Sequence, residues 1–271
     1  MTVDCSGSAE HFSVFTLAAA VGSVNGPKHR RNEDRFVFLA PGHPIAEDRR
    51  VGYLFGVMDG CGGTAGGADA AQMTAEELIR TFSGVAVEEA GLDRQEVALA
   101  GLRRANAAVA ARQESDEALA SMACSATVAW VWEDIGGEAG TGLAGVILHV
   151  GDSRAYLVRE GGSRLLTKDH RIGWAVSQVV GMADHQFKVD VARVGLQPGD
   201  MLLLATDGLW KPRGVDPAEV AERAGADPAL LAENWMHTAR RLGSDDDLTV
   251  VAAKVGRRSP PQRFIVVDAG P

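Results

Sequence analysis

Two pairs of helix-length segments are set into a chain that otherwise reads as short strands, and this order narrows the fold more than any other feature. Apolar or β-branched runs at residues 11–20, 36–39 and 52–58 read as strands, separated by a polar loop at 22–34, and the last closes on the turn signal Asp59-Gly60. Helical spacing follows at 67–82, carried by Ala71, Ala75, Leu78, Ile79 and Phe82. It returns at 93–114, carried by Val97, Leu102, Ala105 and Val109, with Asp93 as N-cap. Strand-like segments occupy 122–132, 143–150 and 154–158, with a glycine-rich hairpin loop at 136–142 and a hairpin turn at Gly161-Gly162. A short helix is predicted over 172–180, then strands over 187–194 and 201–205. Asp216-Pro217 and Asp227-Pro228 open the second helix pair with Asp as N-cap and Pro in the first helical position. A final strand at 248–255 precedes a Pro/Arg-rich tail. Strict βαβα alternation is missing, so an α+β fold of antiparallel sheets with helices segregated on their faces fits better than a parallel doubly wound sheet. A single domain over 1–255 and a mobile tail over 256–271 are expected.

Composition excludes several function classes. Hydrophobic residues make up 46% of the 271 positions and charged residues 23%, enough for an ordinary core. The net charge of −9 argues against nucleic-acid binding, which needs clustered Lys and Arg, and suits carboxylates gathered around cations. Residues 1–10 lack a basic stretch followed by an apolar run, so no signal peptide is expected. The longest apolar stretch, 118–132, is interrupted by Ser121, Ser125 and Thr127 and falls short of the roughly 20 residues of a membrane span. Cys5, Cys61 and Cys124 are too few and too dispersed for a disulfide framework, which points to a reduced, cytoplasmic protein.

The acids sit where strands begin or end. Asp59 and Asp207 each follow an apolar run and precede a glycine, Asp152 follows another run by one glycine, Asp245, Asp246 and Asp247 immediately precede the last strand, and Glu33 and Asp34 precede an earlier one. Any single Asp-Gly pair is as readily a plain turn, but several such clusters at strand termini can meet in stacked sheets. Converging carboxylates repel one another unless a cation neutralises them, and hard oxygen ligands select Mg²⁺ or Mn²⁺ over Zn²⁺. None of the seven histidines forms a His-x₃-His or His-Glu-x-x-His pattern. No cysteine is followed six positions later by the Arg a thiol phosphatase needs: those positions hold His11, Gly67 and Trp130. Gly60, Gly62, Gly63, Gly66 and Gly67 suit close backbone approach to metal and substrate, and the Gly-Lys-Ser/Thr ending of a nucleotide loop is absent.

Six segments in order resemble the motifs of the metal-dependent serine/threonine protein phosphatases of type 2C, with a span of roughly residues 15–255. They are Asn32-Glu33-Asp34, Val57-Met58-Asp59-Gly60-Cys61-Gly62-Gly63, Gly151-Asp152-Ser153-Arg154-Ala155-Tyr156, Leu166-Thr167-Lys168-Asp169-His170, Ala205-Thr206-Asp207-Gly208-Leu209-Trp210 and Gly243-Ser244-Asp245-Asp246-Asp247-Leu248-Thr249-Val250. The resemblance implies a central β-sandwich of two antiparallel sheets flanked by paired helices, in α-β-β-α layers. It implies hydrolysis of phosphoserine and phosphothreonine on proteins, opposing a Ser/Thr kinase, by a water activated between two Mn²⁺ or Mg²⁺ ions. Asp59 would bridge the two ions, with the Gly60 carbonyl, Asp207 and Asp246 completing the first site, Glu33 serving the second and Asp34 acting through water. Asp152 and Asp207 would offer a third, weaker site like that of bacterial members.

The resemblance also marks departures. His29 stands where the family carries a phosphate-binding Arg, with Lys28, Arg30 and Arg31 beside it; His29 and Arg30 are the phosphate-binding candidates. Cys61 replaces a His proposed as general acid in eukaryotic members, and reads as a small neutral loop residue or a redox sensor. Asp247 stands where the family usually has Asn, and either tightens metal binding or is merely solvated. Only about ten residues separate His170 from Gly181, a short version of the flap beside the site, as in a bacterial short-flap variant. A phosphopeptide binder without turnover and a hydrolase of small phosphoesters are the rival functions.

Overall fold

The computed structural model describes residues 15–40, 51–61, 65–85, 93–134, 142–212, 214–225, 227–257 and 265–268. Among them the chain forms β1 (Phe15–Val24), β2 (Arg35–Leu39), β3 (Tyr53–Gly60), α1 (Gly67–Ser83), α2 (Arg94–Ser115), β4 (Cys124–Asp134), β5 (Gly142–Val150), β6 (Arg154–Arg159) and β7 (Gly162–Leu165). There follow β8 (Arg171–Ile172), β9 (Ala175–Val176), β10 (Asp190–Leu196), β11 (Met201–Ala205), α3 (Asp207–Trp210), α4 (Pro217–Arg223), α5 (Pro228–Arg241), β12 (Leu248–Arg257) and β13 (Ile265–Asp268).

One sheet runs β13-β1-β12-β11-β6-β7 and the other β10-β5-β4-β3-β2, with β8 and β9 as a separate small hairpin. Neighbours pair antiparallel except β1 and β13, which are parallel. Central strands bury both faces, so they read as continuous apolar runs rather than alternating ones. In β3, Tyr53, Phe55 and Val57 enter the layer between the sheets, while Leu54 and Met58 face α1 and α2. In β12, Val251, Ala253 and Val255 face inward, while Val250 and Ala252 meet Leu231, Trp235 and Ala239 of α5. The result is the expected stack of helices, sheet, sheet, helices.

The helix starts follow their caps. Asp93 accepts from the Gln95 and Glu96 N–H groups at 3.0 and 3.2 Å, Asp216 from Ala218 at 2.9 Å, and Asp227 from Ala229 and Leu230 at 2.9 and 3.0 Å. No helix among the described residues is long and apolar enough to cross a membrane.

Elsewhere the elements differ from expectation. The helix predicted over 172–180 is instead the β8–β9 hairpin, turning at Gly173 in the left-handed region (φ 61°), and an irregular stretch that bridges back to Cys124 through Val180. Trp174, at that turn, is 94% exposed. The strand predicted at 187–194 begins at Asp190 and runs to Leu196, because its register is set by β5. β1 continues through Gly22 and Ser23, in the segment read as polar loop, because both pair with Val250 and Thr249 of β12. In the segment read as a tail, Ile265–Asp268 pairs with β1. The loop at 136–142, apart from Gly142, lies outside the described residues, as do residues 11–14, Gly62 and Gly63.

Trp235 anchors the outer helix layer: it is fully buried, packs edge-on against Tyr156 and donates its indole N–H to the Leu209 carbonyl at 3.2 Å. Trp235→Ala is expected to cost about 3–5 kcal/mol of stability in urea unfolding.

Candidate metal centre

Antiparallel pairing places the end of one strand beside the start of the next. Met58 near the end of β3 pairs with Arg35 at the start of β2, and Ala205 ending β11 pairs with both Val250 near the start of β12 and Arg154 at the start of β6. Acids at these particular ends are therefore brought to a common rim. Asp59, Asp152 and Asp207 each offer a carboxylate oxygen within 4.8 Å of the others. Asp34, buried just before β2, crosses between sheets to accept a 2.9 Å bond from the Thr206 hydroxyl.

These groups resist ionisation together. Burial, then the neighbouring Asp207, Asp34, Asp246 and Asp152, pushes the Asp59 carboxyl well above the usual range. Burial likewise raises Asp207, with Lys211 opposing and Asp152 and Asp246 adding to the rise. Asp34 is raised by burial against the hydrogen bonds of Thr249 and Thr206. Glu33, half-buried beside Asp34, is raised chiefly by burial. Asp207 Oδ1 is buried without a hydrogen-bond partner. Clustered hard oxygen donors, with one oxygen orphaned, fit a divalent cation of the Mg²⁺ or Mn²⁺ kind.

Two side chains that the sequence did not single out already meet the cluster. Lys211, which caps the end of α3 one turn beyond Asp207, pairs with the Asp207 carboxylate and lies 3.8 Å from Asp246. Arg171, on β8, donates to Asp152 at 2.9 Å. The i,i+4 spacing of Asp207 and Lys211 was the only sequence signal for either.

Asp246 is partly exposed, its carboxylate 3.8 Å from His29 Nε2. Asp247 is neither a solvated acid nor a member of the close carboxylate triad. It is 3% exposed and accepts the Gly26 N–H at 2.6 Å and the Glu33 N–H at 2.7 Å, so it pins the loop that carries Glu33. Asn at that position offers one acceptor oxygen where the carboxylate offers two. Gly26 is required there: a Cβ on it would lie 2.6 Å from the Asp245 carbonyl oxygen. Arg240 of α5 joins that loop to the next one, donating to the Asn25 carbonyl at 3.0 Å and to the Asp246 and Ser244 carbonyls at 2.6 and 3.0 Å.

His29 sets its ring against these acids, with Nδ1 3.1 Å from Asp247 Oδ1. Desolvation would lower its pKa, but the contact with Asp247 and the charges of Asp247, Asp246 and Glu33 win, and the net shift is upward. Arg30 is exposed on the same loop. The Cys61 thiol is pushed up to about 12 by burial and by Asp59, Asp152 and Asp207, which disfavours a thiolate and with it a nucleophilic or redox-sensing role. Gly60 serves the backbone more directly than expected: a Cβ there would lie 2.5 Å from the Gly67 carbonyl carbon, where β3 meets α1. The Leu166–His170 segment is structural. Arg154 holds Asp169 through two bonds of 2.9 and 2.8 Å while its guanidinium stacks on Trp210, and His170 Nδ1 accepts the Gly151 N–H at 3.2 Å.

Asp247→Ala would orphan the buried Gly26 N–H and the half-buried Glu33 N–H and is expected to cost about 1–3 kcal/mol, with Asp247→Asn costing less, in urea unfolding. The raised carboxyls stabilise the fold fully below the unfolded carboxylate range near 4, and that contribution is lost as pH rises through their folded values. With chelator present, stability is expected to fall as pH climbs from about 5 toward 8, and Mn²⁺ at about 100 times its Kd to restore about 2.7 kcal/mol.

Comparison with known proteins agrees with this geometry. The family model for protein phosphatase 2C matches residues 30–247. Serine/threonine protein phosphatase PstP of Mycobacterium tuberculosis is 27% identical over 221 residues, which is 74% of this chain and 40% of that protein's length. The chain thus spans well under half of the curated relative. The crystal structure of the PstP catalytic domain with two manganese ions superposes with a TM-score of 0.69 at 26% identity, over 89% of this chain and 99% of that one. The PPM Ser-Thr phosphatase MsPP of Mycobacterium smegmatis, solved in complex with cacodylate, gives 0.67 at 26% identity, over 88% and 97%. With a family match that runs from the loop of His29 to Asp247 and so takes in every acid of the rim, the chain belongs to the protein phosphatase 2C family.

Proposed function

We propose that this protein is a metal-dependent phosphatase acting on phosphoserine and phosphothreonine in proteins. The observation that carries the reading is the Asp59, Asp152 and Asp207 group, gathered within 4.8 Å from three separate strand ends. Asp59 would help to hold both cations, Asp207, Asp246 and the Gly60 carbonyl would hold one and Glu33 the other, and Asp34 would act through water. Bound Mn²⁺ or Mg²⁺ would supply Lewis acidity toward phosphate oxygens and lower the pKa of a water.

The chain's own residues prepare that chemistry. Asp247 fixes the loop that presents Glu33, and Thr206 orients Asp34. His29, kept cationic to higher pH by its acidic neighbours, and the exposed Arg30 bring positive charge for the substrate phosphate, Arg30 with the planar fork that suits bidentate contact. Burial and the neighbouring acids push the Cys61 thiol up to about 12, which supports a reading in which no thiolate attacks the phosphate.

The relatives named above are serine/threonine phosphatases of bacteria, which supports a bacterial signalling role opposing a Ser/Thr kinase. The lack of a disulfide framework supports a cytoplasmic setting. A binding module without turnover is disfavoured, since it gains nothing from burying an unpartnered carboxylate oxygen of Asp207.

The test is Mn²⁺-dependent hydrolysis of p-nitrophenyl phosphate and of a phosphothreonine peptide. Asp59→Asn and Asp207→Asn are each expected to lower kcat by more than the 10–100-fold typical of outer-shell partners of a metal. Equal, negligible rates for wild type and variants would remove the catalytic reading. Turnover of the small ester without the peptide would move it to small phosphoesters.

A further inference from the structure

The third, weaker cation position of the resemblance would draw on Asp152 and Asp207. In this chain both carboxylates are met by cations of the chain itself: Asp207 by Lys211 and Asp152 by Arg171. The two pairs differ in kind. Lys211 is a flexible point charge, with 44% of its side chain exposed, and can swing away when Asp207 takes a metal. Arg171 is fixed at both ends. One guanidinium nitrogen donates to Asp152 at 2.9 Å and another to the Trp174 carbonyl at 2.8 Å, across the β8–β9 turn.

The backbone under Arg171 is fixed as well. The neighbouring His170 N–H donates to the Gly151 carbonyl at 2.7 Å, while the Gly151 N–H returns a bond to the His170 ring at 3.2 Å. Ser177 N–H closes the hairpin onto the His170 carbonyl at 2.8 Å. The residue before Asp152 and the residue before Arg171 are thus bonded twice to each other, so the guanidinium is delivered to Asp152 by the fold. Asp152 itself is 2% exposed, and a metal ion that took it over would leave the displaced guanidinium beside a like charge without its carboxylate partner.

We propose that Arg171 stands in for the third cation, so that this protein binds two divalent metals and keeps its short flap hairpin latched to Asp152 by a side chain in place of a metal. The proposal rests on the metal-dependent reading above. A cation at Asp152 would have to displace Arg171, leave its guanidinium near a like charge, and release the hairpin turn that carries Trp174.

Counting bound metal tests it without relying on turnover. The full chain is stripped with chelator, then titrated with Mn²⁺ in a calorimeter and checked by equilibrium dialysis. Wild type is expected to bind two Mn²⁺ per chain. Arg171→Ala and Arg171→Gln, confirmed folded by circular dichroism, are expected to bind a third, and Arg171→Ala combined with Asp152→Asn to return to two. Three ions in wild type, or two in both Arg171→Ala and Arg171→Gln, would overturn the role given to Arg171 while leaving the two-metal phosphatase intact. No Mn²⁺ bound to wild type would instead sink the metal reading on which both stand.

Discussion

Repulsion among carboxylates at one rim of the sandwich is the constraint around which the rest is arranged. Asp34, Asp59, Asp152 and Asp207 are held close together by strand pairings that are themselves stabilised by the apolar layer between the sheets. Burial alone would drive each toward its protonated form, and the neighbouring aspartates add to that drive at Asp34, Asp59 and Asp207, while Lys211 and Arg171 oppose it at Asp152. The fold tolerates the stress because the apolar layer between the sheets is extensive, with Phe55, Leu202, Leu204 and Val251 fully buried in it. Cations relieve it, whether bound ions or the chain's own Lys211 and Arg171.

Behind the acids lies a polar layer that decides where they point. Thr206 donates to Asp34 and accepts from the Thr249 N–H, Ser23 and Thr249 share a 2.9 Å contact, and Asn32 reaches Ser23 at 2.9 Å. These bonds tie β1, β11 and β12 to the loop before β2, so the donors of both sheets are oriented as one unit. Asp247 and Arg240 complete the layer from the other side by holding the Gly26–Glu33 and Ser244–Asp246 backbones. Placement of such supporting residues determines how well a site discriminates between a ligated and an unligated geometry.

The flap hairpin belongs to the same electrostatic system. Its turn exposes Trp174 and Ile172, while its base is bonded to the Gly151-Asp152 turn. A helix over these residues would have turned Trp174 toward the core; the left-handed Gly173 and the two bonds between His170 and Gly151 make a two-residue hairpin the cheaper solution. Periodicity over so short a segment cannot distinguish the two, because neither the helical nor the strand pattern completes more than two turns or pairs.

Sequence alone determined what depends on nearest neighbours and on period: the antiparallel strands with helices segregated in pairs, the Asp caps at positions 93, 216 and 227, and the concentration of acids at strand termini. It also supplied, through the resemblance, the family and the names of the acidic residues. Tertiary structure alone decided which charges face one another. Asp247 became an anchor for backbone 221 and 214 residues away, Arg171 reached across 19 residues to Asp152, and Arg240 reached the Asn25 carbonyl 215 residues away. Such contacts follow from sheet register and from the packing of α5 on its sheet, and a carboxylate or guanidinium carries no local mark of the partner that a distant strand will bring to it.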